Sequence, residues 1–267
     1  MHLIWKKYST ALAFMAAAAM AFAATAQAQK QEYTPSVGQE GKDVIWVPTP
    51  NELITKMLDM AKLTPSDVHY DLGSGDGRTV IAAAKRGTKA IGVEYNPDMV
   101  ELSKRNAQKE GVAARAEFIR GDIFETDFSK ANVLTLYLLP SLNLKLRPTI
   151  LNMKPGTRVV SHAFTMGDWQ ADQTETVEGR TAYLWIVPAK VNGNWRADGG
   201  ELALKQTFQK IEGTFGGKAI ANATLRGDMI SFSVDGHDYG GHVSGERIEG
   251  TVKAAGKEAK WSATHAK

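Results

Sequence analysis

The stretch that most constrains this chain is Val68-His69-Tyr70-Asp71-Leu72-Gly73-Ser74-Gly75-Asp76-Gly77-Arg78, a short strand that breaks into a glycine-rich turn. A helix is expected directly after it, over Thr79–Arg86. Gly73, Gly75 and Gly77 remove side chains where a backbone must turn sharply and approach a ligand closely. The following helix points its free N–H groups and the positive end of its dipole back at that turn. Asp71 adds a carboxylate at the strand end, which suits a ligand carrying an ammonium and hydroxyls better than one carrying a pyrophosphate. The spacing Gly-x-Gly-x-Gly also departs from the dinucleotide fingerprint G-x-G-x-x-G.

The neighbouring sequence alternates strand-like and helix-like segments. Val44–Val47 reads as an apolar strand ending in Pro48-Thr49-Pro50, and Asn51–Leu63 as an amphipathic helix with Leu53, Ile54, Met57, Leu58 and Ala61 on one face. Thr49 is expected to cap that helix, with Pro50 at its first position and Glu52 completing a capping box. Further strands are expected at Ala90–Glu94, Ala116–Arg120, Val133–Leu138, Arg158–Phe164 and Thr181–Val187, with helices at Pro97–Glu110 and Ser141–Leu151. Strands separated by helices imply an α/β fold with a doubly wound, mostly parallel sheet, whose ligands sit at the carboxyl ends of the strands. Glu94 ends the second strand, where a carboxylate accepts both hydroxyls of a ribose. Asp122 follows the third strand and is placed to accept from an adenine amino group, or else to form an Asx turn.

From Pro188 the texture changes. Turn signals such as Gly199-Gly200, Gly216-Gly217, Asp235-Gly236 and Gly240-Gly241 separate short alternating runs. This is the pattern of an antiparallel β meander folding as a small sheet or barrel. Trp195, Phe208, Phe215, Phe232, Tyr239 and Trp261 are read as its core. The expected organisation is a lead-in at 29–43, an α/β domain at 44–188 and a small antiparallel β domain at 189–267.

Composition excludes several functions. A net charge of +3 with interspersed signs, and no Lys/Arg run of five, argues against a nucleic-acid surface. The absence of cysteine removes disulfides, thiolate zinc sites and cysteine nucleophiles, and the six histidines lack metal-ligand spacing, so no metal is expected. At the start of the chain, Lys6 and Lys7 precede the apolar run Ala11–Ala24 and then Ala26-Gln27-Ala28. This is the layout of a secretory signal peptide cut after Ala28, and the run is short of the ~20 residues a membrane span needs. Export is therefore expected, with no stable membrane insertion once the signal is removed. Translation from Met15 or Met20 would instead leave the protein in the cytoplasm.

Taken together, Asp71-Leu72-Gly73-Ser74-Gly75-Asp76-Gly77, Glu94 and Gly121-Asp122 resemble the successive motifs of the class I S-adenosylmethionine-dependent methyltransferases. Val47-Pro48-Thr49-Pro50, Gly75-Asp76-Gly77-Arg78, Gly92-Val93-Glu94-Tyr95-Asn96-Pro97 and Leu136-Tyr137-Leu138-Leu139-Pro140 narrow the likeness to the seven-strand protein N-lysine methyltransferases. Within these, the ATP synthase c-subunit type is the group most resembled, over about Val44–Trp169. The resemblance implies S-adenosylmethionine as cofactor. Asp71, Gly73, Ser74, Gly75 and Gly77 would form its methionine and ribose cradle, with Glu94 on the ribose and Asp122 and Ile123 beside the adenine. Pro48 and Thr49 would close the side near the methionine carboxylate, and Tyr137 and Asn143 would orient the acceptor beside the reactive methyl. The sequence has no N/D-P-P-Y motif there, which argues against methylation of DNA adenine or glutamine. His162, in a buried-looking strand, is left out of the site, and Trp169 either caps the pocket or packs.

Two functions from different classes fit these residues. One is an active methyltransferase with a protein acceptor, foremost a lysine amine, or a small-molecule acceptor. The other is an exported binding or envelope-interaction protein on a retired methyltransferase scaffold, suggested by the export signal because the cofactor is made in the cytoplasm.

Overall fold

The alternation of buried strands and amphipathic helices builds a seven-stranded mixed sheet in the computed structural model, which describes residues 33–266. The segment read as a signal peptide, residues 1–28, lies outside the described residues. Strands β1 (Val68–Leu72), β2 (Lys89–Glu94), β3 (Ala116–Arg120), β4 (Val133–Leu136) and β5 (Arg158–His162) run parallel; β6 (Gln173–Val177) and β7 (Arg180–Ile186) form a hairpin whose β7 lies antiparallel to β5. The order is β3-β2-β1-β4-β5-β7-β6. Because β1 is flanked by β2 on one side and β4 on the other, the order reverses at β1, and a crevice opens at the carboxyl ends of β1 and β4.

Helices α1 (Asn51–Met60), α2 (Arg78–Lys85) and α3 (Pro97–Lys109) cover one face of this sheet. Their apolar stripes meet strand residues at every second position. Leu53 and Met57 pack with Val133 and Val160, while Ile54, Leu58 and Val80 pack with Ala90 and Phe118. On the other face α4 (Pro140–Ile150) buries Leu146 and Ile150 against Leu134, Leu136 and Val159. Trp169 and Trp185 extend that cluster, and both are fully buried.

From Gly193 the chain forms a nine-stranded antiparallel sheet: β8 (Gly193–Ala197), β9 (Gly200–Thr207), β10 (Lys210–Phe215), β11 (Lys218–Ala219), β12 (Ala221–Arg226), β13 (Met229–Val234), β14 (His237–Ser244), β15 (Arg247–Ala254) and β16 (Lys257–His265). It curls so that β10 approaches β12 and encloses Trp195, Leu202, Phe215, Phe232, Ile248 and Trp261. Phe232 stacks on Tyr239 with ring centroids 5.0 Å apart, and Trp261 meets both edge-on.

Several elements differ from expectation. Val44–Val47 is not a strand; it belongs to a loop closed by Gly38 N–H donating to Trp46 O and Trp46 N–H to Gln39 O, both at 2.9 Å. The capping box at Thr49 does not form. Pro50 occupies the cap position of α1 without a side-chain bond, and the Thr49 hydroxyl is bonded elsewhere. Strand β6 carries no apolar signal because Gln-Thr-Glu-Thr-Val forms a half-exposed sheet edge. β5 ends at His162 rather than Phe164, since Ala163 takes a left-handed φ of 63°. Phe208 leaves the core of its own sheet. At the β9–β10 turn it stacks on Trp169, centroids 5.9 Å apart, under the guanidinium of Arg147.

Phe208 thus joins the two sheets, with Gln209 Nε2–H donating to Gln170 O at 2.7 Å alongside it. Truncating a packed aromatic ring costs about 3 kcal/mol. Phe208→Ala is expected to lower unfolding stability by about that amount in urea titrations, followed by tryptophan fluorescence because Trp169 lies beneath the ring.

Candidate active site

The glycine loop follows β1 and is held in shape from three sides. Gly75 N–H donates to Glu94 Oε2 at 2.9 Å, Asn106 Nδ2–H to Asp76 O at 2.9 Å, and Ser103 Oγ–H to Gly75 O at 2.8 Å. Gly75 and Gly77 both sit at positive φ, 55° and 82°. A Cβ on Gly75 would lie 2.6 Å from Trp46 Nε1, and one on Gly77 would lie 2.7 Å from the Phe118 ring and 2.9 Å from Ser103 Cβ. Any side chain at Gly75 would therefore intrude into the cavity, whereas one at Gly77 would break the packing of α3 and β3 behind the loop.

Above the loop lies a cavity of about 710 Å³. Its walls include Pro48, Thr49, Asp71, Gly73, Ser74, Gly75, Glu94, Asp122, Ile123 and Tyr137. Two residues expected in the site do not line it. Gly77 lies behind the loop, as described above. Asn143 is fully buried on α4, its Nδ2 3.3–3.4 Å from Ser161 Oγ, Phe164 O and Thr165 O, so it props the segment after β5 and does not face an acceptor. Trp169 packs beneath Phe208 and is also outside the cavity.

Two carboxylates dominate the electrostatics. Glu94 is half-buried at the end of β2, and its two oxygens accept from the backbone N–H groups of Gly75 and Asn96 at 2.9 Å each. Burial raises its pKa, opposed by the Asn96, Gly75 and Tyr95 amides. Asp71 is 6% exposed and accepts from Thr135 Oγ at 2.6 Å. Burial pushes its carboxyl up to about 7; the Thr135 bond opposes this, and the charges of Glu94 and Asp76 add to it. With one donor among the described residues this buried carboxylate is undersupplied, and a cationic group in the cavity would complete it.

The segment before α1 roofs the cavity. Trp46 lies against Gly75, and Ile45 and Val47 expose apolar side chains at the rim, as do Tyr95 and Leu139. Lys42 pairs with Asp122 and sits 4.8 Å from the centroid of the Tyr95 ring, joining the roof to the ends of β2 and β3. Asp122 also takes the Phe124 N–H at 2.9 Å as an Asx turn; the Lys42 bond, then that amide, hold its pKa down. Its carboxylate is thus occupied by the protein's own donors.

Tyr137, just after β4, is stacked on His162 with centroids 3.8 Å apart, and Phe164 continues the row at 6.1 Å. His162 Nδ1 is 3.1 Å from Thr49 Oγ1. Burial, with the charge of Arg180, drives its imidazole down to about 4, so the ring is neutral at neutral pH. His162, which the sequence gives no reason to place in the site, therefore buttresses two cavity residues. Its link to Thr49 spans 113 positions and leaves no local trace in the sequence. Trp46, Lys42 and Phe164 escape sequence reasoning for the same reason. No group of three potential metal ligands occurs among the described residues.

A parallel sheet reversing at a glycine loop, with carboxylates at the ends of its first two strands, defines a nucleoside-cofactor site of the methyltransferase kind. Residues 71–173 match the family described as the ANTKMT methyltransferase domain. A protein-lysine N-methyltransferase of Saccharolobus islandicus is 42% identical over 151 residues, covering 54% of this chain and 94% of that protein. The human lysine N-methyltransferase of the ATP synthase c-subunit is 33% identical over 135 residues, covering 50% of this chain and 57% of its own length. Among solved structures, one titled an RNA methyltransferase from Salinibacter ruber in complex with S-adenosyl-L-homocysteine is 50% identical, with a TM-score of 0.53, over 54% of this chain and 96% of that one. The chain belongs to the protein-lysine N-methyltransferase family of class I S-adenosylmethionine-dependent methyltransferases. The retired-scaffold alternative is not favoured by these relatives.

The raised pKa of Asp71 has a defined consequence for stability. Between its unfolded value, near 4, and its folded value, near 7, the folded chain holds a proton that the unfolded chain has released, so stability is lost as pH rises through that window. Glu94 acts in the same direction, whereas His69 and His162, held neutral by burial, act oppositely at acidic pH. Subtracting the stability–pH curve of Asp71→Asn from that of the native chain isolates the contribution of Asp71. The native chain is expected to lose stability relative to the variant from pH 4 to 7, as read by urea denaturation of the cofactor-free protein.

Proposed function

We propose that the chain transfers the methyl group of S-adenosylmethionine to the side-chain amine of a lysine in a protein acceptor. The observation that carries this reading is the single cavity wall that runs from buried Asp71 past Glu94 to the apolar, aromatic rim at Tyr137, Leu139 and Phe164. The fit to the cofactor rests on chemistry present in the site. Asp71 has no cationic partner among the described residues and would take the ammonium of the methionine end. Glu94 would accept from the ribose hydroxyls through its remaining lone pairs. Gly73, Ser74 and Gly75 would let the backbone approach, with Pro48 and Thr49 closing the methionine side. Ile123 would flank the adenine; with Asp122 held by Lys42 and the Phe124 amide, its role there is to anchor the roof.

When bound, the cofactor supplies a sulfonium methyl that is already activated, so holding a neutral nucleophile in line with it accounts for most of the rate. An ammonium cannot attack. Leu138, Leu139, Leu142 and Phe164 make the walls apolar, and such walls lower an amine's pKa and favour its neutral form. Tyr137, stacked on His162, lines the cavity and would orient that amine. Protein-lysine methylation by the Saccharolobus and human relatives supports the acceptor class.

Calorimetric titration with S-adenosylhomocysteine and mass spectrometry of methylated lysine in a protein acceptor test this. Saturable binding, weakened at least tenfold in Glu94→Ala, and mono- to trimethyl-lysine that depends on the chain are expected. Methyl transfer to RNA or to a small molecule, with no lysine product, would overturn the acceptor class.

We further propose export directed by residues 1–28, on the strength of Lys6-Lys7, the Ala11–Ala24 run and Ala26-Gln27-Ala28. N-terminal sequencing of the native protein is expected to read from Gln29; a start at Met1, Met15 or Met20 would refute it.

A further inference from the structure

Beneath the cavity floor, β1 and β4 carry a polar chain that the proposed chemistry does not yet use. His69 and Asp71 are two residues apart on β1 and so share a face. Thr135 on β4 is directly opposite Asp71 in the parallel register. The Thr135 hydroxyl donates to Asp71 Oδ1 at 2.6 Å, and His69 Nε2 lies 2.8 Å from the same Thr135 oxygen. His69 and Thr135 are 0% exposed. Buried polar groups are costly unless paired, so a linked trio under a ligand cavity calls for an explanation.

The donor order follows from proton counting. A threonine hydroxyl has one proton, and here it is given to Asp71. His69 must then donate from Nε2–H, which leaves Nδ1 as a bare acceptor; Nδ1 is indeed buried with no hydrogen-bond partner among the described residues. Burial keeps the ring neutral, its pKa driven down to about 3. The charged groups around Asp71 are the carboxylates of Glu94, at the end of β2, and Asp76, on the loop; Asp76 is itself paired with Arg78. Thr135, backed by His69, is thus the one donor to the Asp71 side chain among the described residues, against two neighbouring negative charges.

We propose that His69 and Thr135 form a buried relay that orients the Asp71 carboxylate and holds it as an acceptor facing the cavity, so that the pair sets affinity for the ammonium end of the cofactor. His69 and Thr135 are positioning residues: Thr135 touches Asp71, His69 touches Thr135, and neither lines the cavity. The inference rests on the reading of Asp71 as the partner of that ammonium. In the opposite state, with Asp71 protonated, the chain can run backwards only if the His69 proton moves from Nε2 to Nδ1.

The experiment compares two ligands that differ at one end. S-adenosylhomocysteine carries the ammonium, and 5′-methylthioadenosine lacks the whole amino-acid end. Thr135→Val is expected to weaken S-adenosylhomocysteine binding about tenfold, in line with a lost hydrogen bond to a charged group, and to leave 5′-methylthioadenosine binding unchanged. Thr135→Ser, which keeps the hydroxyl, is expected to restore the affinity. Nitrogen-15 chemical shifts of His69 in the native chain, with S-adenosylhomocysteine bound, should report the Nε2–H tautomer; this measurement needs no variant to fold. Equal losses for both ligands in Thr135→Val, no recovery in Thr135→Ser, or an Nδ1–H tautomer would overturn the relay. Asp71→Asn separates the two levels. If it binds S-adenosylhomocysteine as tightly as the native chain, the reading of Asp71 fails; if it weakens binding while Thr135→Val does not, the relay alone fails.

Discussion

The carboxylate of Glu94 is the point on which the cavity's shape depends. One oxygen takes the Gly75 N–H of the glycine loop and the other the Asn96 N–H that leads into α3. A single side chain therefore fixes the loop against the end of the neighbouring strand. Both backbone segments carry unpaired amides as they leave regular structure, and an anion between them satisfies both. Asn96 then caps α3 by accepting from the N–H groups of Asp98 and Met99, so the same corner starts the helix that supports the loop from behind.

The parts of the fold that were legible in the sequence are those governed by local periodicity. β1 to β5, the helices between them and the antiparallel meander follow from burial at every second or every third and fourth residue. The glycine loop was legible because its conformation demands particular residues at particular positions. Illegible were features that depend on contacts between distant segments. Val44–Val47 has strand composition, yet no sheet edge is offered to it, and its side chains serve as a roof. Thr49 has the local chemistry of a helix cap, but His162 offers its hydroxyl a partner from 113 positions away. Asn143 looks like an acceptor-orienting amide beside Tyr137, and the helical turn carries it behind the wall.

The antiparallel sheet changes how the α/β sheet is covered. One face has three helices, while the other has α4, the Trp169 segment and the turn that carries Phe208. In addition, Ala189 N–H donates to Gly227 O at 2.7 Å, so a second turn, between β12 and β13, meets the connection between the sheets. The aromatic cluster of the α/β sheet is completed by a residue of the antiparallel one. The similar proteins named above each match about half of this chain.

The position of Trp46 gives the molecule a built-in optical reporter. Of the five tryptophans among the described residues, Trp169, Trp185, Trp195 and Trp261 are buried in apolar clusters and sheltered from anything entering the cavity. Trp46 alone lines the cavity, its indole nitrogen against the glycine loop. An adenine-bearing molecule settling there would displace or stack on that ring, altering emission from one chromophore while the other four hold a constant background. The roof residue thus makes occupancy of the cavity visible in the protein's own ultraviolet fluorescence, with no label attached.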